Sequence, residues 1–209
     1  YPAWQKWTYD WDEDQRHGGR HSEPGVSAWT WCHEYDERVA ARALEWLRLN
    51  AYEPMKGYRR KKNRADRPFF LTVSFTNPHP PYRTTERYWR RFEEVDIPLP
   101  ECPEAQLLNE HIEVKWNRDY HQLHDPPTAE QMRSARRAYY GNVAFIDDKV
   151  GELMEWLGDL GLRDNTIVLF CSDHGEMLGE HACWCKRVAY EWSCRVPLII
   201  TAPGLVPEC

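Results

Sequence analysis

From Asp36 onward the apolar residues Val39, Ala43, Leu44 and Leu47 recur at the three- and four-residue spacing of one helical face. Asp36 and Glu37 then fall at the start of that helix, where its dipole favours negative charge. The run Phe69-Phe70-Leu71-Thr72-Val73-Ser74-Phe75 is short, apolar and β-rich, and predicts a buried strand. A short helix is predicted from Arg87 to Phe92. The strongest periodicity begins after Thr128, a helix cap with Gln131 three residues on. Met132, Ala135, Tyr139, Val143, Ile146, Val150, Leu153, Leu157 and Leu160 then step by threes and fours, the stripe of one long amphipathic helix. Gly141 lies inside this pattern, where another backbone is expected to come close. Gly158 and Gly161 end the helix, and Asp164-Asn165 turn the chain into the strand Thr166-Ile167-Val168-Leu169-Phe170. A last strand is predicted from Val196 to Thr201, stopping at Pro203-Gly204.

Between these elements the pattern fails. Residues 1–32 are aromatic and charged without a period and read as a long surface excursion. Residues 56–67 form a basic loop, and residues 98–127 are polar and proline-containing, hence loop-rich. The order helix, strand, loop, helix, strand, loop, strand predicts an α/β fold with a mainly parallel sheet flanked by helices. The chain ends without closing an element, so residues 1–209 are expected to be an internal slice of a catalytic domain whose N- and C-terminal parts are missing.

Composition changes this picture little. The net charge of -6 excludes a general nucleic-acid binder, and no apolar run approaches a membrane span. The seven cysteines suggest no disulfide framework, which favours a reducing compartment, the cytoplasm. His181, Cys183 and Cys185 invite a zinc reading, but structural zinc uses paired C-x₂₋₄-C spacings. Trp4, Trp7, Trp11, Trp29 and Trp31 crowd the first segment, as loop packing or as an aromatic wall for a cationic substrate.

Candidate chemistry gathers at two strand ends. The Thr166 strand runs into Asp173-His174, a carboxylate and an imidazole where open α/β sheets place their ligands. These two are the candidate metal ligands. Gly175 lets the backbone turn sharply after them, and Lys186 brings back a fixed positive charge for an anionic group. The other strand ends at Asn77-Pro78-His79-Pro80-Pro81-Tyr82, where three prolines fix a rigid turn and hold His79 at the same sheet edge. Hard oxygen from Asp173 suits Ca²⁺ or Mg²⁺, while the imidazole shifts preference toward Mn²⁺ or Zn²⁺. Asp147 and Asp148 read as salt-bridge partners or caps, and His111, His121 and His124 as surface residues.

The segment Ser172-Asp173-His174-Gly175-Glu176-Met177-Leu178-Gly179-Glu180-His181, with Trp184, Lys186, Tyr190-Glu191 and Arg195-Val196-Pro197, resembles the sulfatase branch of the alkaline phosphatase superfamily. Trp7-Thr8-Tyr9-Asp10-Trp11, Tyr35-Asp36-Glu37-Arg38-Val39, residues 68–76, Tyr88-Trp89 and residues 136–141 narrow it to the choline-sulfatases. The resemblance implies an alkaline-phosphatase-like fold and a sulfuric ester hydrolase acting on a small anionic sulfate ester, with choline sulfate the best substrate. It assigns His79 and Lys186 to catalysis and Asp173 and His174 to one divalent metal, Ca²⁺ first, with Mn²⁺ or Mg²⁺ as alternatives. It further implies a homo-oligomer when full length. The family's nucleophile is a formylglycine made within C/S-x-P/A-x-R. No cysteine here is followed by that pattern, so the formylglycine is expected on a Cys or Ser outside this chain.

Two alternatives stand beside this one. Pro78-His79-Pro80-Pro81-Tyr82 departs from the choline-sulfatase form and is similar to phosphonate monoester and phosphodiester hydrolases of the same superfamily. A chain without the nucleophile also fits a non-catalytic binding protein that kept the pocket. The 209 residues alone are expected to be inactive.

Overall fold

In a computed structural model, residues 24–50, 68–100, 111–120 and 128–206 are described. The aromatic residues Trp4, Trp7 and Trp11, the basic loop 56–67, and His121, His124, Cys102 and Cys209 lie outside them.

Helix α1 spans Trp31–Asn50 and begins ahead of the expected Asp36. The Thr30 hydroxyl accepts from the His33 backbone N–H at 3.3 Å, which satisfies one of the helix's orphan donors. Starting there moves Asp36 off the dipole end and onto the buried stripe, with Cys32, Ala40, Ala43 and Leu47. Residues 69–75 then run extended, alternating half-buried and exposed positions, the period of two that a strand imposes. They join no ladder among the described residues, and Phe70 is 92% exposed. The expected fully buried strand is therefore covered here on one face only: Phe69 meets Trp46 edge-on, and Phe75 packs near Tyr88 and Phe145.

Strands β1 (Gly25–Val26) and β2 (Arg83–Thr84) form a short parallel pair. Helix α2 (Glu86–Arg90) follows, and α3 (Ile112–Tyr120) forms inside the stretch that sequence reads as loop. Val114 of α3 packs with Met177, Cys183 and Val188, so tertiary contact supplies what the local pattern lacks.

The spine is α4, Ala129–Asp159. Its start is a capping box: Thr128 accepts from Gln131 N at 3.2 Å, and the Gln131 side chain accepts from Thr128 N at 2.9 Å. It ends with Gly161 in the left-handed region and Leu162 N donating to the Leu157 carbonyl, a Schellman closure. Its buried face holds Ala135, Ala138, Phe145 and Ile146, but also Arg136, Asn142 and Lys149, while the expected stripe residue Val143 is 45% exposed. Gly141 does mark a close approach, though to a side chain. A β-carbon there would lie 2.8 Å from Cγ2 of Thr84 on β2. Asp148, two turns further along the same side of α4, accepts from Arg87, Arg91 and the Tyr88 hydroxyl, which ties α2 to α4.

Strands β3 (Val168–Cys171) and β4 (Leu198–Thr201) pair antiparallel, with Val168 opposite Thr201 and Cys171 opposite Leu198. Among the described residues the α/β sheet thus comes in two pieces, one parallel and one antiparallel. Leu169, Leu198, Ile199 and Ile200 are all exposed. Among the described residues no helix is long and apolar enough to cross a membrane.

An apolar sheet face of this kind is an aggregation hazard. The 209 residues expressed alone should bind a hydrophobic dye strongly and elute as aggregates in size-exclusion chromatography. A monodisperse monomer with a cooperative melt and little dye binding would show that the face is covered within these residues.

Candidate active site

Strand β3 delivers Ser172, Asp173 and His174 at its carboxyl end. The Ser172 hydroxyl donates to the His174 carbonyl at 2.9 Å, and His174 N donates to Asp173 Oδ1 at 3.0 Å, so the tip is folded on itself. His174 Nδ1 lies 2.7 Å from the Gly175 carbonyl. A carbonyl only accepts, so Nδ1 carries the proton and Nε2 presents its lone pair. That lone pair faces Asp173 Oδ2 at 3.8 Å, and the Asp173 carboxylate is 87% exposed. Two donors at this spacing suit one shared cation, with the second ring nitrogen anchored as metal-bound imidazoles usually are. No group of three or more His, Cys, Asp or Glu able to hold a metal occurs among the described residues.

His79 is oriented in the same manner. Its Nδ1 lies 2.9 Å from the Pro80 carbonyl and must donate. Its Nε2 lies 3.0 Å from Lys186 Nζ, and the ammonium, which has no lone pair, donates to it. Residues 107 apart in sequence are thereby joined head to head. Burial lowers the His79 pKa. The Pro80 carbonyl opposes that shift, while the Lys186 ammonium adds to it, as the neighbouring His174 ring does when it is protonated. Asp173 acts on the same ring in the raising direction, so all four sequence-predicted residues share one electrostatic neighbourhood.

Gly175 follows the two ligand candidates for a reason other than the expected sharp turn. It has no positive φ. A β-carbon there would lie 2.0 Å from the Trp192 carbonyl oxygen and 3.0 Å from that of Arg195. Its N–H donates to the Ser193 carbonyl at 2.7 Å, pinning the loop against helix α5 (Glu191–Cys194).

The loop that carries Lys186 is strained. Leu178, His181, Ala182, Cys185 and Arg187 all have positive φ, a conformation that costs a residue with a β-carbon on the order of 1 kcal/mol or more. Lys186 stands between two of them. Backbone bonds brace the loop internally, from Met177 N to Cys185 O and from Gly179 N to Cys183 O, both 2.9 Å. Arg136 of α4 braces it externally: Nε donates to the Leu178 carbonyl at 3.1 Å, one terminal nitrogen to the Pro98 carbonyl at 2.7 Å, and the other to the Glu180 carboxylate. Trp184 packs on Tyr82, three residues from His79, at 5.4 Å between rings.

Beneath Lys186 sits a buried polar layer. Burial raises the Glu176 carboxyl pKa, which the Tyr82 hydroxyl offsets in part. Burial also pushes the Cys185 thiol up to about 12, with the Glu176 charge adding. The zinc reading of His181, Cys183 and Cys185 has no support. The His181 ring stacks on Tyr190 at 4.2 Å, and Cys183 is buried among Val114, Met177 and Val188. Sequence reasoning missed Asp36, Arg136 and Glu176. Two of them carried a signal: Asp36 and Arg136 are charged residues set on or beside an apolar helical stripe.

With this geometry in view, the comparisons with known proteins decide the family. The sulfatase family model matches residues 3–208. The chain belongs to the sulfatase family. It is 37% identical over 217 residues to a choline-sulfatase of Rhizobium meliloti, covering 99% of this chain and 41% of that one. It is 35% identical over 138 residues to an arylsulfatase of Clostridium perfringens, covering 66% of this chain and 28% of the relative. Among solved structures, the phosphonate monoester hydrolase of Agrobacterium radiobacter superposes with a TM-score of 0.62 at 27% identity, over 87% of this chain and 36% of that one. The fold is thus the alkaline-phosphatase-like α/β fold of sulfatases and phosphonate hydrolases. The chain spans well under half the length of these relatives.

Gly175→Ala should drive a methyl into the Trp192 carbonyl and displace the Asp173-His174 tip. Urea denaturation is expected to report a loss on the order of 2 kcal/mol, the overpacking range. An unchanged midpoint would mean that α5 moves aside without cost.

Proposed function

We propose that this protein is a sulfuric ester hydrolase whose ester-binding centre comprises His79, Lys186, Asp173 and His174, with choline sulfate the best substrate. The observation that carries this is the contact of Lys186 Nζ with His79 Nε2 at 3.0 Å, beside Asp173 and His174 at the end of β3. The 209 residues are taken as part of a longer catalytic domain, since the relatives are more than twice as long. In that domain a Cys or Ser outside this chain would supply the formylglycine nucleophile.

Asp173 and His174 would hold one divalent cation, Ca²⁺ first, which when bound would neutralise charge on the sulfuryl oxygens. Lys186 points an ammonium at the place where an anionic group docks. In the resting geometry that ammonium is spent on His79. An ester oxygen entering between them takes the Lys186 donor, and the ester's negative charge favours the protonated imidazole. The Nε2–H of His79 then faces the leaving oxygen and can move to it as the S–O bond breaks. Nδ1, held by the Pro80 carbonyl, fixes the ring plane throughout.

The phosphonate reading keeps a foothold in the Agrobacterium radiobacter structure and in the Pro78-His79-Pro80-Pro81-Tyr82 turn. Assaying the enzyme, expressed with its flanking gene sequence, on choline sulfate and on a phosphonate monoester decides between them. A higher kcat/KM on the phosphonate overturns the sulfatase assignment. Lys186→Ala should lower kcat/KM by roughly 10²-fold, the effect of removing one oxyanion donor. Asp173→Ala should lose both metal content, by elemental analysis, and activity.

The pH dependence has a defined sign. The resting His79 pKa lies below its ordinary value and the anion raises it, so ester binding takes up a proton between the two. In that window kcat/KM should rise as pH falls, and His79→Gln should flatten the slope. A slope unchanged by that substitution removes His79 from the assignment.

A further inference from the structure

We infer that Asp36 is a positioning residue for His79, acting from the buried face of α1 on the turn that presents the imidazole; this rests on the reading of His79 as the proton donor. Asp36 is fully buried, yet nothing cationic among the described residues pairs with it. Its Oδ1 accepts from Thr76 N at 2.6 Å, and its Oδ2 accepts from Asn77 N and from Asn77 Nδ2, both at 2.8 Å. All three donors belong to the two residues where the extended 69–75 segment ends and the proline turn begins.

A carboxylate is the only side chain of this length that accepts at both oxygens. In either orientation Asn at this site would aim its NH₂ at a backbone N–H, of Thr76 or of Asn77, which has no acceptor to offer. The grip is continued one turn earlier on α1, where the Cys32 thiol approaches the His79 carbonyl at 4.0 Å. His79 N donates to the Thr76 carbonyl at 3.0 Å, so the turn is closed from the residue that Asp36 holds to the residue that does the chemistry. Downstream the turn is fixed by Tyr82 against Trp184. The upstream end is fixed by Asp36. Because the His79 ring is clamped by its own Pro80 carbonyl, displacement of this backbone displaces Nε2 with it.

The test compares two substrates in one enzyme preparation, again expressed with its flanking gene sequence. An alkyl sulfate has a poor leaving group that needs a proton, whereas para-nitrophenyl sulfate releases a stable phenolate that does not. Asp36→Asn is expected to lower kcat on the alkyl sulfate at least ~10-fold more than on the nitrophenyl ester, since a shift of about 1 Å costs up to ~10²-fold. KM should change little. The double variant with His79→Ala should show no larger substrate ratio than His79→Ala alone, the non-additivity of two residues acting through one step. A merely structural role for Asp36 would lower Tm and scale both rates by the same factor, and that outcome overturns the proposal. Should Asp36→Asn fail to fold, Asn77→Ala removes one of the three donors while leaving the carboxylate. It must shift the ratio in the same direction, and an unchanged ratio also overturns the proposal. If His79→Ala itself leaves the ratio unchanged, the assignment of His79 fails first, and the role of Asp36 falls with it.

Discussion

The guanidinium of Arg136 is the constraint on which the site depends. It is buried in α4 and spends its donors on two backbone carbonyls, of Leu178 and Pro98, and one carboxylate, Glu180. A buried ion pair of this kind adds little net stability once desolvation is counted. What it provides is location. A fork of fixed geometry can hold carbonyls that a strained loop would otherwise withdraw, and a Lys could not reach the same partners with one point charge. The left-handed residues from Leu178 to Arg187 persist because that anchor, the Trp184–Tyr82 contact and the buried Met177 over-determine them.

Two independent supports therefore meet at one contact. Lys186 arrives on the Arg136-braced loop, and His79 on the turn held by Asp36. Each support reaches back to a different helix, α4 and α1, and those helices are themselves tied by Lys149 to Glu37. The spacing between ammonium and imidazole is thus set by the packing of two helices rather than by either loop.

Much of this was legible in the sequence, and the parts that were not share a cause. Thr128 and Gln131 announced the long helix because capping is local chemistry, and the Asp173-His174 and Lys186 spacing singled out residues that the structure brings into one neighbourhood with His79. The run 69–75 and the last strand, β4, were legible as apolar segments, but not that 69–75 joins no ladder among the described residues and is covered on one face only. Burial depends on what packs across a sheet, and no local period encodes that. Helix α3 went unread because Val114, its buried apolar residue among those described, meets residues over sixty positions away. Asp36 was assigned to a helix end since propensity gives charge that role. Only the true start of α1, set by Thr30, turns it inward.

The Cys185 thiol, pushed up to about 12, has a consequence for chemical handling of the molecule. At neutral pH it holds almost no thiolate, the form that reacts with alkylating agents and peroxides. Cys171 and Cys194, by contrast, are exposed. Thiol reagents will therefore mark the two ends of the β3-to-α5 excursion and leave its middle unmodified. A labelled or mildly oxidised sample keeps the residue beside Lys186 in its native state, and probes attached at Cys171 and Cys194 would bracket the site without entering it.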